Sequence, residues 1–79
     1  MLYAIVDIET TGGSSKSHKI TEIAVIIHDG EREISRYETL VNPEMHIPRN
    51  ITALTGITNE LVETAPVFKE VAEELHELL

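Results

Sequence analysis

The chain contains no cysteine, no tryptophan and only one phenylalanine in 79 residues. The missing cysteine excludes a disulfide framework and any thiolate metal site. Basic residues are also scarce, with six Lys/Arg against fourteen Asp/Glu and a formal charge of −8. Taken alone, that balance argues against a simple nucleic-acid binder, which presents a basic patch. It leaves room for an enzyme that meets phosphate through divalent cations, because bound cations invert the local charge logic. Long apolar runs are absent, and the longest fall far short of the roughly 20 residues needed to span a bilayer. No basic or signal-like apolar stretch precedes the first strand. The expectation is a soluble, cytoplasmic protein with no membrane partner. No repeat, low-complexity tract or linker interrupts the chain. At 79 residues it can form one small domain, which buries only about 60% of the surface of its unfolded chain.

What is present reads as strands followed by helix. Residues 2–9 (LYAIVDIE) are rich in β-branched types and predict a strand. Residues 10–18 (TTGGSSKSH) form a polar Gly/Ser loop. Residues 19–28 (KITEIAVIIH) predict a second strand, and Asp29-Gly30 a hairpin turn. Residues 33–41 (EISRYETLV) alternate and predict a third strand, half exposed as an edge strand would be. Pro48 and Gly56 bracket a short helix in which Ile51 and Leu54 share a face. Thr64-Ala65-Pro66 opens the last helix. There Val67, Phe68, Val71, Leu75 and Leu78 follow a helical period, with Phe68 the expected anchor. The predicted fold class is α+β, a three-stranded antiparallel meander followed by helix. The second strand is apolar on both faces, as in strands covered on both sides. One helix covers one face, so part of the expected structure lies elsewhere.

Asp7 and Glu9 stand two apart within an apolar run. Alternation in a strand puts both carboxylates on one face, with Cα atoms about 6–7 Å apart. Oxygen ligands at that spacing can converge on a hard cation. The plainer reading of an acid-x-acid pair at a strand end is two carboxylates facing water. Asp7, however, lies inside the run Ala4-Ile5-Val6 rather than at a frayed end.

The segment Asp7-Ile8-Glu9-Thr10-Thr11-Gly12 resembles the first motif of DnaQ-like (DEDD) 3′→5′ exonucleases, the family of the polymerase III proofreading epsilon subunit. Ile20-Thr21-Glu22-Ile23-Ala24-Val25 is similar to that family's second strand, and Asn42-Pro43 to the end of its third. Ile47-Pro48, Leu54-Thr55-Gly56-Ile57-Thr58 and Ala65-Pro66-Val67-Phe68 resemble its first helical region. The resemblance runs in order through the whole chain. It implies that residues 1–79 are the N-terminal part of a ribonuclease H-like exonuclease domain. It also implies hydrolysis of phosphodiesters from a 3′ end with two divalent ions, Mg²⁺ or Mn²⁺. Asp7 and Glu9 match two of the family's four metal-holding carboxylates. Thr10 and Thr11 match positions beside the terminal nucleotide, and Leu54 and Thr55 the wall against which its base packs. The family often has histidine where Thr55 stands, which puts a ligand contact there in doubt. The remaining carboxylates and the general base have no counterpart here, so the 79-residue chain by itself is expected to be inactive. Single-stranded DNA or a frayed 3′ end is the expected substrate, with RNA as the alternative. A DNA polymerase or a fused nuclease or helicase module is the expected partner.

Other residues have competing readings. His18, His28, His46 and His76 are expected at the surface, with His18 closest to the loop after Glu9. Lys16 and Lys19 flank that loop, where they either meet phosphate or face solvent. Glu22 is either an edge or salt-bridged acid or a group that orients a metal ligand from outside. Two further readings of the whole chain stand beside the enzyme. One is a non-catalytic assembly module of the same fold. The other is a self-associating unit whose copies cover each other's bare sheet.

Overall fold

The computed structural model describes residues 1–12 and 19–78. Lys16 and His18 lie outside the described residues. Among the described residues six elements follow one another: β1 (Tyr3–Thr10), β2 (Ile20–His28), β3 (Glu33–Leu40), α1 (Arg49–Thr55), α2 (Asn59–Glu63) and α3 (Phe68–Leu78). The strands form one antiparallel sheet in the order β1-β2-β3. The expected meander is therefore present, and β3 is an edge, as its polar alternation suggested. β1 is the other edge.

The β2–β3 turn is built by Asp29. Its carboxylate accepts from the amides of Glu31 (2.8 Å) and Arg32 (2.9 Å), and those bonds hold its pKa below the ordinary carboxylate value. Gly30 supplies the positive φ of 101° that the turn requires.

One face of β2 is buried. Ile23 and Val25 pack with Val41 and with Val71 of α3, flanked by Ile27, Tyr37 and Leu75. A second, smaller cluster of Ile47, Ile57 and Val62 joins the connection before α1 to α2. Asn59 ties the two sides of that cluster together. Its side-chain oxygen accepts from the Ile47 amide (2.8 Å), and its amide nitrogen donates to the Ile47 carbonyl (3.2 Å).

Three expectations about the helical half need correction. First, Phe68 is not the anchor of α3: it is 50% exposed, whereas Val71 is fully buried. Leu78 is exposed as well. Second, α3 begins at Phe68, not at residues 64–66. Residues Pro66 and Val67 are used instead as extended chain, with Val67 bridging Asn42 and the Pro66 carbonyl accepting from the Asn42 amide (2.8 Å). That pairing shifts the start of the helix and swings Phe68 off the core. Third, the meander is followed by three helices, because α2 was not foreseen. Its signal was present in Thr58, whose hydroxyl accepts from the Leu61 amide (3.1 Å) as an N-cap. A five-residue helix has too few turns to show a period.

Among the described residues, no helix is long and apolar enough to cross a membrane, which says nothing of a strand-built barrel.

Candidate active site

β1 carries Asp7 and Glu9, and the strand register fixes what lies around them. Asp7 is paired with Ala24 and Glu9 with Glu22. Paired residues in an antiparallel ladder share a face, so Asp7, Glu9 and Glu22 all project from one side of the sheet. Ile23 and Val25, which point the other way, are in the core under α3. The carboxylate face is thus the face opposite α3. Asp7 is exposed, while Glu9 and Glu22 are half-buried. The expectation that Asp7 and Glu9 stand side by side on one strand face holds. Among the described residues, every ion pair belongs to Arg36, which binds Glu33 (2.6 Å) and Glu38 on β3. Three carboxylates therefore share a face, and among the described residues no basic side chain is bound to any of them. Among the described residues, no three acidic, histidine or cysteine groups close on one point as a metal cage would.

The ladder shifts register between Glu9 and Thr10, where β2 contributes the extra residue Thr21. A bulge of this kind bends the strand and re-aims the side chains beside it. Beyond it the chain is pinned. The Thr11 amide donates to the Lys19 carbonyl (2.8 Å), and the Lys19 amide donates to the Thr11 hydroxyl (3.0 Å). The Gly12 amide donates to the Thr10 hydroxyl (3.1 Å). Thr11 is buried with both its amide and its hydroxyl committed to Lys19, so it ties the end of β1 to the start of β2. Thr10 is half-buried at the strand end.

Gly12 has φ +68°, and a Cβ built there would lie 2.5 Å from Cδ1 of Ile51. This close approach fixes the strand end against α1, the helix that carries Leu54 and Thr55. Leu54 is 82% exposed, an apolar side chain with no protein cover. The Thr55 hydroxyl is engaged twice: it donates to the Ile51 carbonyl (3.0 Å) and accepts from the Ile57 amide (3.1 Å). It closes α1 into the left-handed turn at Gly56. The three histidines among the described residues are peripheral. His28 Nδ1 accepts from the Gly30 amide (3.0 Å) in the hairpin turn, and His46 and His76 are exposed.

The sequence model of the RNase_T family, described as exonuclease, matches residues 4–79. The chain belongs to this exonuclease family. The exonuclease-family chain is 40% identical over 98% of its length to the 3′-5′ exonuclease DinG of Bacillus subtilis, of which it spans 8%. It is 45% identical, again over 98% of its length, to a PolC-type DNA polymerase III of Clostridium perfringens, of which it spans 5%. A solved structure of a 3′-exonuclease recognising a histone mRNA stem-loop superposes with a TM-score of 0.85 at 26% identity. That match covers 98% of this chain and 29% of the other. The ribonuclease H-like fold that the resemblance along the whole chain implied is thereby established for this exonuclease-family chain. The chain spans a small part of each of these relatives.

Exonucleases of this family work with divalent metal ions. The residues on the open sheet face fit such a group. Asp7 and Glu9 offer adjacent carboxylate oxygens, the donor type that hard divalent cations take. Neither is tied up by a basic group among the described residues.

Proposed function

We propose that the whole protein is a metal-dependent 3′→5′ exonuclease acting on DNA, in which Asp7 and Glu9 are two of the carboxylates that hold the metal ions. The observation that carries this reading is the placement of both carboxylates side by side on one strand face, in a chain of the exonuclease family. Mg²⁺ or Mn²⁺, as a pair, is the expected metal. When bound, such ions lower the pKa of the attacking water and offset charge on the leaving oxygen.

The chain's own residues bind and orient. Asp7 and Glu9 project as neighbouring anions from a strand whose end is pinned to α1 through Gly12 and Ile51. Leu54 offers a bare apolar surface for the terminal base. Thr10 borders the same strand end, and Thr11 and Thr55 set the backbone around it through their committed hydroxyls. A general base and further carboxylates come from chain beyond these residues.

DNA is favoured over RNA because the relative at 45% identity is a DNA polymerase III. RNA is kept as the second reading because the 26%-identical structure is of an enzyme on histone mRNA. The small share of each relative that the chain spans supports a module within a larger protein, beside a polymerase or a further nuclease or helicase module. A cytoplasmic location belongs to the same reading.

The test is a 3′-end degradation assay of the whole protein on matched single-stranded DNA and RNA. Stepwise loss from the 3′ end of DNA in Mg²⁺ or Mn²⁺ is expected. Asp7→Asn should slow it by orders of magnitude without unfolding the protein. An unchanged rate in Asp7→Asn would place the chemistry elsewhere, and a non-catalytic assembly module would show neither degradation nor a Mn²⁺-dependent change.

A further inference from the structure

We infer that Glu22, on the neighbouring strand, is a positioning residue for the same cation site, acting on the cation from outside the pair Asp7 and Glu9. The inference rests on the proposed cation site and adds to it a residue from a second strand.

Register carries the argument. Glu22 is directly opposite Glu9, and side chains so paired have Cβ atoms about 4.5–5.5 Å apart. Glu22 is also diagonal to Asp7, because Asp7 pairs with Ala24, two residues further along β2. The three carboxylates therefore form one triangle on one face. The next strand offers no counter-charge in that row, since Leu40 stands opposite Glu22. One row further on, Glu38 faces Ala24, and Glu38 is already bound by Arg36.

The strand geometry also limits the role. Like charges directly opposite in a ladder are destabilising, so Glu22 beside Glu9 is an electrostatic cost in the metal-free chain. The three groups do not close on one point, so Glu22 is not placed to complete a cage with the other two. With a cation bound, it would act from outside by accepting hydrogen bonds from water on the ion and by biasing the orientation of Glu9. A divalent cation held by one or two carboxylates keeps several waters, which gives such an outer carboxylate something to bind. The bulge at Thr21 lies immediately next to Glu22 and sets its aim. Glu22 is half-buried on the central strand.

The test measures Mn²⁺ affinity of the full chain by the electron paramagnetic resonance signal of free Mn²⁺, together with melting temperature with and without Mn²⁺. Glu22→Gln keeps the shape of the side chain and removes its charge. It should weaken Mn²⁺ by on the order of tenfold, as loss of outer groups does elsewhere. It should raise the melting temperature of the metal-free chain, because a like-charge pair is gone. It should also shrink the rise that Mn²⁺ produces. Glu22→Asp, which keeps the charge, should retain most of the affinity. If Asp7→Asn and Glu9→Gln abolish Mn²⁺ binding while Glu22→Gln leaves it unchanged, the inference about Glu22 falls and the cation site stands. If Glu22→Gln lowers both affinity and metal-free melting temperature, Glu22 is a structural residue and the inference also falls. If Mn²⁺ binding is indifferent to Asp7 and Glu9, the cation site and the role of Glu22 fall together.

Discussion

Gly12 shows how much of the site depends on single backbone positions. Its φ of +68° is in the left-handed region, and Ile51 of α1 fills the space where a side chain would start. Gly12→Ala should therefore cost roughly 1–3 kcal/mol through backbone strain, and it should loosen the join between the carboxylate strand and α1. Chemical denaturation of the pair of proteins measures it; equal midpoints would mean that the turn relaxes freely. The glycine at position 12 was legible as part of a Gly/Ser-rich segment, but its contact with Ile51 was not, because it joins residues far apart in the chain. Phe68 gives the opposite lesson. A lone phenylalanine on a helical period reads as the anchor, yet Asn42 pairs with Pro66 and Val67 and turns Phe68 half out to solvent. Phe68→Ala should cost about 1 kcal/mol or less, while Val71→Ala, at a fully buried position, should cost about 2–3 kcal/mol. A larger loss at Phe68 than at Val71 in equilibrium unfolding would reverse this assignment.

At the level of elements, the strands were read from sequence to within a residue or two, because alternation is a local signal and the hairpin turn has its own chemistry. The pairing of Glu22 with Glu9 was not readable, since it needs the register across β1 and β2 and the extra residue at Thr21. The last helix was legible as a period, but its seat on the sheet was not. Part of that seat is polar: the Tyr37 hydroxyl on β3 donates to Glu74 of α3 (2.8 Å). Burial and the neighbouring Glu74 carboxylate push the Tyr37 phenol up to about 12, from an ordinary value of 10.0. The raised pKa means that the folded chain favours the neutral phenol. Its contribution is complete below the unfolded value near pH 10, and it is lost as pH rises through about 12. Melting temperature should accordingly fall over that window by more than in Tyr37→Phe, in which the step should be absent. Parallel alkaline melting curves for the two proteins would contradict a tie between β3 and α3 through this bond.

The dimensions of the whole molecule explain why a chain with a legible family motif should not work alone. Its radius of gyration is 13.7 Å, with extents of 40 × 23 × 23 Å, against roughly 12 Å for a compact domain of this length. β1 contributes to that shape. It is an edge strand, and Ile5, Val6 and Ile8 on it are 50%, 58% and 45% exposed. The bare surface that the sequence assigned to β2 lies mainly on β1. That strand also lacks the lysine or proline with which edges are commonly blunted, so the isolated chain should associate with itself as concentration rises, which sedimentation velocity would detect. The same exposure bears on catalysis. Asp7 and Glu9 are on this open strand, and nothing among the described residues supplies a third ligand that converges with them. A cation there keeps most of its water and is loosely held. Two-metal hydrolysis needs both ions fixed and a base in reach of the attacking water. His28, His46 and His76 are engaged in a turn or exposed elsewhere. The 79-residue chain should therefore leave a 5′-labelled oligonucleotide intact in Mn²⁺, under the conditions proposed for the assay of the whole protein. Degradation by the pure chain, lost in Asp7→Ala, would mean that the missing groups are supplied in trans. A second copy docked along β1 would be the first place to look for them, because that edge lies beside the carboxylates and has no partner strand among the described residues.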